Sequence, residues 1–278
     1  MTSIVSWFNR EGNGTVWVVG DSKITDGGTN PSMLLDSGAK IFSIPLICKQ
    51  PSTRGFFEDT YLQSKVGLAY AGSSLIGLNV QAAISTVFSN LNGMGLPPSM
   101  SELGEYTRMI AKNYIDTLAI IKQEAALCEF LLMGYCHKTA LYKICKIKPD
   151  FSSGSFDMTL DVYDSQSANG NAIFILGDKK SDIENLIVNY RASLQEKNIL
   201  WDRAPQAVLK EIIKEDTYST IGGHLQQGFC MGTDFIPVST CVYIEGQKPK
   251  AYLSYLGFDV TGDASRVGDC MVGITGMV

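Results

Sequence analysis

The sequence predicts an α+β fold: a four-layer αββα sandwich in which two antiparallel sheets pack together and each carries a helix pair on its outer side. Three observations lead there. Strand-like and helix-like stretches come in blocks, with helices arriving in pairs instead of alternating singly with strands, which disfavours a doubly wound βαβ sheet. Apolar residues make up 45% of the 278, enough for a sizeable core. No internal repeat, low-complexity tract or linker interrupts the order. One domain over 1–278 is expected, with a core at about 2–245 and a C-terminal extension at about 246–278.

Thr2–Asn9 alternates Ile4, Ser6 and Phe8 with Val5 and Trp7, the period of a strand. The Gly/Asn turn Arg10–Gly14 leads into a second apolar strand, Thr15–Gly20, and so into a hairpin. Ala39–Ile44 and Lys65–Ala71 read as further strands, with Cys48–Gln63 as an irregular loop. After Gly72 the period changes to that of a helix carrying Ile76, Val80, Ala83, Val87 and Leu91 on one face, and Gly93–Pro98 breaks it. The capping box of Ser99 and Glu102 opens a second helix, striped with Leu103, Tyr106, Ile110, Tyr114 and Leu118. Glu129–Cys136, Ala140–Ile147, Asp157–Tyr163 and Ala172–Leu176 read as strands. One helix then runs from Ser181 to about Glu196 and another over Asp202–Glu215, before strands at Gly228–Phe235, Ser239–Glu245 and Lys250–Tyr255. Gly257–Val278 carries no clear pattern.

Composition excludes several function classes. With 23 basic against 28 acidic residues and no basic run, the chain lacks the electrostatic footprint of a nucleic-acid binder. Val66–Ser101 is free of charge, but its Gly, Ser, Asn and Pro residues argue against a membrane span. No signal peptide is visible. Seven cysteines with no CxxC pair read as reduced core residues of a cytoplasmic protein. Two histidines, His137 and His224, without HExxH give no expected metal site, and no cofactor is expected.

The chemistry begins at the second residue. A small residue after Met1 permits removal of the methionine, leaving Thr2 with a hydroxyl and a free α-amine. With a reference pKa of roughly 7.7–8.0, that amine is partly neutral near pH 7 and can accept the hydroxyl proton. Around Thr2 the order is specific: Thr2-Ser3-Ile4-Val5, a glycine-containing turn, Val18 through Asp21, Ser22, Lys23 and Thr25, then Ala39-Lys40-Ile41. Further on come Tyr70-Ala71-Gly72-Ser73, the apolar run Phe130–Tyr135, and Asp216 and Ser219 ahead of Gly222-Gly223. This series resembles the proteasome β-subunit family and its bacterial relatives, N-terminal-nucleophile hydrolases whose fold is of the αββα type. The likeness covers about Thr2–Glu245 in order and spacing, apart from loops near 50–63 and 148–170. It departs at Gly177-Asp178-Lys179, where the family has a Gly-Ser pair, and at Thr220-Ile221, which separate Ser219 from the glycine pair.

The resemblance implies a catalytic set of Thr2, Asp21, Lys40, Gly72, Asp216 and Ser219. Thr2 is the nucleophile, Lys40 lowers the pKa of its amine and hydroxyl, and Asp21 orients Lys40. Gly72 offers an N–H to the oxyanion, and Asp216 and Ser219 bond the terminal amine. Thr25 aligns substrate as an added strand, Gly38 and Tyr70 border the pocket for the side chain preceding the cleaved bond, and Ser74 lies near its wall. The implied activity is a threonine-type peptidase acting on peptide or unfolded protein within a homo-oligomeric ring or stack. An ATP-dependent unfoldase is a candidate partner, since the chain has no GxxxxGK[ST] of its own. The alternatives are a non-catalytic structural subunit and a non-peptide amidase of the same fold. The low charged content, 18%, fits faces buried between copies.

Overall fold

The computed structural model describes residues 2–10, 14–26, 31–120, 126–168, 171–194, 198–244, 250–262 and 264–277. Met1, positions 11–13 of the first turn, the expected helix end near 196 and the strand end at 245 lie outside the described residues.

The chain opens with β1 (Ser3–Asn9), β2 (Thr15–Gly20), and the short β3 (Ile24–Thr25) and β4 (Met33–Leu35). A long hairpin of β5 (Ile41–Pro51) and β6 (Phe57–Gly72) runs into α1 (Ser74–Phe88), β7 (Leu91–Asn92) and α2 (Met100–Ala119). The middle comprises β8 (Cys128–Cys136), β9 (Leu141–Asp150), β10 (Asp157–Asp164) and β11 (Ile173–Gly177), then α3 (Lys180–Ala192), α4 (Ile199–Asp202) and α5 (Ala204–Lys214). The last part holds β12 (Gln226–Met231), β13 (Asp234–Ile244), β14 (Lys250–Tyr255), β15 (Phe258–Asp259), β16 (Arg266–Val267), β17 (Cys270–Met271) and β18 (Gly276–Met277).

The expected four-layer αββα sandwich of two separate sheets is corrected by the pairing. Fourteen strands form one mixed sheet, whose path runs β10-β9-β8-β6-β13-β12-β2-β1-β11. The two halves join where β13 enters parallel to β6, Asp234 opposite Lys65. A single bridge between residues so far apart leaves no trace in local periodicity, so two sheets were read where one curls. Alternation along β1 directs Ile4 and Phe8 into a central cluster with Val16, Val18, Ala69, Leu131, Met133 and Phe235. Val5 and Trp7 point the other way, onto Ile183 and Ile187 of α3 and Leu209 and Ile212 of α5. A third cluster packs Ile44, Leu68, Leu132 and Ile147 against Ile76, Val80 and Ile84 of α1 and Leu103, Ala111 and Ile115 of α2.

Local readings are adjusted too. Cys48–Gln63 is not a loop: β5 and β6 stay paired from Ile41 opposite Ala69 to Pro51 opposite Phe57, with register shifts after Cys48 and Gln50. Those bulges and the charged residues beyond the core erase the apolar alternation that marks a strand. The break between the last long strands falls at Gly232, not near 236–238, and Pro237 sits inside β13 opposite Gly228. On α1 the buried ridge is Ile76, Val80, Ile84 and Phe88, one step from the stripe read at Ala83 and Val87. The Ser99–Glu102 capping box forms as expected. The tail returns to the sheet: β14 pairs antiparallel with β13, and β18 runs parallel to it at Ser239 and Thr240. Among the described residues all seven cysteines are free, five of them buried, and no helix is long and apolar enough to cross a membrane.

Candidate active site

Thr2 precedes β1 and is only 4% exposed. Its carbonyl accepts the Asp178 N–H at 2.8 Å. The next amide, Ser3 N–H, donates to Asp21 Oδ1 at 2.8 Å. Asp21 directly follows β2, where the hairpin register sets Ile4 opposite Gly20 and so returns the chain alongside Thr2 and Ser3.

Lys40 reaches Asp21 from the position just before β5. Its Nζ lies 3.2 Å from both carboxylate oxygens and donates to the Lys23 carbonyl at 2.6 Å. Neither Asp21 nor Lys40 is exposed at all. Asp21 also accepts N–H bonds from Lys23 at 3.1 Å and Gly222 at 3.2 Å, so its lone pairs are well used. Burial pushes the Asp21 carboxyl up, opposed by the Lys40 charge. It pulls the Lys40 ammonium down, opposed by Asp21. In each group burial outweighs the attraction of the other, which is the chief force opposing it.

Gly72 ends β6 at φ +114°, and a Cβ there would overlap the Leu127 carbonyl oxygen, so the bend into α1 needs glycine. Gly177, at φ +88°, lies against Thr2 so closely that a Cβ would overlap the Thr2 carbonyl oxygen and stand 3.1 Å from Ala71 Cβ. Thr2, Asp21, Lys40 and the Ala71–Gly72 turn therefore converge.

Asp216 and Ser219 do not join them. Both are exposed, and Asp216 pairs at 3.8 Å with Lys23 Nζ. The intervening Thr220 and Ile221 account for this. Ile221 is buried among Val5, Trp7 and Ile212, and Thr220 Oγ1 donates to Asp178 Oδ2 at 2.8 Å. Asp178 so occupies the turn where the family resemblance has serine, held by Thr220 and by its own N–H to Thr2.

Of the substrate-side residues, Thr25 lies half-buried in β3 opposite Met33. Gly38 is buried, its N–H on the Ser22 carbonyl at 2.9 Å. Tyr70 is buried in the helix-facing core, its hydroxyl donating to the Ala39 carbonyl at 3.2 Å, and burial pushes its pKa up to about 12. Ser74 opens α1 near the Tyr70 hydroxyl and partly offsets that rise.

Sequence reasoning missed Gln226. Its Oε1 accepts the Lys40 N–H at 3.0 Å while its Nε2 donates to the Asp21 and Gly38 carbonyls at 3.2 and 2.8 Å. It missed Glu129 as well, whose carboxylate takes the Gly177 N–H at 2.9 Å and Lys180 Nζ at 2.6 Å. The available signal was a polar residue at the head of an otherwise apolar strand. Among the described residues no group of three or more His, Cys, Asp or Glu is placed to hold a metal.

No family model matches the chain, and no curated protein matches it. Solved structures do. A mutant of Anbu from Hyphomicrobium sp. strain MC1 superposes with TM-score 0.51 at 13% identity, over 84% of each chain. Anbu from Yersinia bercovieri, described as an ancestral beta-subunit, gives 0.50 at 13% over 85% of this chain and 86% of that one. Another Anbu structure from the Hyphomicrobium strain gives 0.50 at 12% over 90% and 87%. The resemblance to the proteasome β-subunit family is corrected accordingly: the neighbours are Anbu, related to the proteasome but distinct from it. At this identity the likeness is one of fold, and the fold of this chain is similar to that of Anbu.

Proposed function

We propose that the chain is an N-terminal-nucleophile hydrolase that cleaves peptide bonds with Thr2, once Thr2 has become the first residue of the mature protein. The observation that carries the reading is the wholly buried Asp21–Lys40 pair set against the Ser3 amide. A buried ion pair is poor value for stability, because apolar residues of the same volume often serve as well. Its presence against the amide that follows Thr2 is therefore best explained by chemistry.

In this reading Thr2 Oγ attacks the substrate carbonyl carbon as the α-amine takes its proton. The Lys40 charge lowers the pKa of both groups, and the Gly72 N–H steadies the oxyanion. The C–N bond then breaks, the proton passes to the leaving amine, and water hydrolyses the acyl ester on Thr2. Peptide or unfolded polypeptide is the substrate class. Gln226 positions Lys40, and Asp178 with Thr220 holds the Thr2 carbonyl in place of a serine.

A peptide epoxyketone, which requires both the amine and the hydroxyl of one residue, should label the mature protein once, at Thr2, and leave Thr2→Ala unlabelled. A methionine retained before Thr2 by intact mass, or equal labelling of Thr2→Ala, counts against the mechanism. The exposed, outward placement of Asp216 and Ser219 favours a second reading, a non-catalytic subunit. Absence of any adduct on correctly processed protein would support it.

Self-association belongs to the same proposal, motivated by Leu75 and Leu78 on the exposed side of α1, 59% and 43% accessible. Light scattering at micromolar concentration should report an oligomer, and a monomer would refute this part.

A further inference from the structure

We infer that Glu129 is a positioning residue that locks the Thr2 backbone to the strand bearing Gly72. The inference rests on the reading of Thr2 as nucleophile and adds a residue outside the set implied by the family resemblance.

Glu129 is the second residue of β8, directly opposite Ala71 in the ladder, one position before Gly72. Its side chain is 20% exposed. One oxygen, Oε2, accepts the Gly177 N–H at 2.9 Å, and the other, Oε1, accepts Lys180 Nζ at 2.6 Å. Gly177 pairs with Ser3 and lies against the Thr2 carbonyl, and the following Asp178 N–H holds that carbonyl at 2.8 Å. The carboxylate thus ties the turn that backs the nucleophile to the neighbour of the oxyanion strand.

The charges around it fit a fixed role. Lys180 is the first residue of α3, where a cation opposes the helix dipole. Glu129 offsets that charge and places its own where a helix N-terminus favours it. Lys146 donates to the Ile175 carbonyl at 3.2 Å, anchoring β11 two residues before the turn. A surface ion pair would need only Lys180; the bond to a backbone amide in a left-handed turn sets geometry.

The test compares Glu129→Ala, Glu129→Gln and Lys180→Met in the full chain, reading hydrogen exchange across 176–179 and kcat and KM on a fluorogenic peptide. Glu129→Ala should speed exchange at Gly177 and Asp178 and lower kcat by about 10- to 100-fold with KM within about 3-fold, the mark of misplaced rather than missing groups. Glu129→Gln keeps an acceptor for Gly177 and should recover most of both. Lys180→Met should stay within about 3-fold of wild type in kcat, as expected for a half-exposed ion pair. Thermal melts confirm that each variant folds. Unchanged exchange in Glu129→Ala, faster exchange with unchanged kcat, or Glu129→Gln behaving like Glu129→Ala would overturn the inference. If wild-type protein hydrolyses no peptide, the peptidase reading falls, and the exchange arm alone decides whether Glu129 sets the Thr2 backbone.

Discussion

Lys40→Met should destabilise the fold by about 3–5 kcal/mol at neutral pH, because it leaves the Asp21 carboxylate buried without its counter-charge. Thermal midpoint should drop by about 6–15 °C, at about 2–3 °C per kcal/mol for a chain of this size. Hydrolysis, if the peptidase reading holds, should disappear with it. The pH dependence separates this cause from a packing defect. In the variant, burial raises the Asp21 pKa with no ammonium to oppose it. An acid whose folded pKa exceeds its unfolded value costs nothing below the unfolded value, about 4, and costs progressively more as pH rises towards the folded one. The deficit should therefore shrink on acidification. Asp21→Asn should behave as the mirror image. Burial lowers the Lys40 pKa, so its penalty is complete below the folded pKa and fades as pH climbs to the ordinary lysine value of about 10.4. The double variant Lys40→Met/Asp21→Asn should recover much of the loss, giving a coupling of several kcal/mol in a double-mutant cycle. Urea melts across pH measure all four proteins. Equal deficits at every pH, or additive single losses, would defeat the account.

What could be read from residues alone follows from the range of the interaction involved. The β1–β2 hairpin, the capped start of α2 and the order of helices are local, and they were legible in alternation, in Ser99 and Glu102, and in the 3.6-residue spacing. The approach of Asp21 and Lys40 was legible only through a family resemblance, since nothing in the intervening segment announces that Gln226, more than 180 positions away, clamps them. Long-range closure was not legible. The bridge of Asp234 to Lys65 turns an expected pair of sheets into one, and it rests on backbone bonds that any residue can make. The two residues beyond Ser219 show the same limit on a smaller scale. As an insertion they looked like a departure from a pattern; folded, Ile221 buries against α5 and Thr220 turns to Asp178, which carries Ser219 out to solvent.

Gly177→Ala should be among the most damaging single-methyl additions in this chain. At φ +88° an alanine is strained by about 1–3 kcal/mol wherever it stands. Here its Cβ would also overlap the Thr2 carbonyl oxygen and press on Ala71 Cβ at 3.1 Å. Relief requires moving backbone, at a further cost of about 1–3 kcal/mol. The sum, about 2–6 kcal/mol, can be apportioned by comparison with Gly154→Ala. Gly154 has a similar φ of +78° with nothing within 4 Å of a Cβ, so it carries the backbone strain alone. The excess loss in Gly177→Ala over Gly154→Ala then measures the contact with Thr2. That excess should come with a displaced first strand: faster exchange at Ser3 and Asp178, and loss of epoxyketone labelling even in protein that remains folded. Equal midpoints for the two alanine variants would mean that the turn and Thr2 are not in register as described, and would remove the structural basis for assigning Glu129 a positioning role.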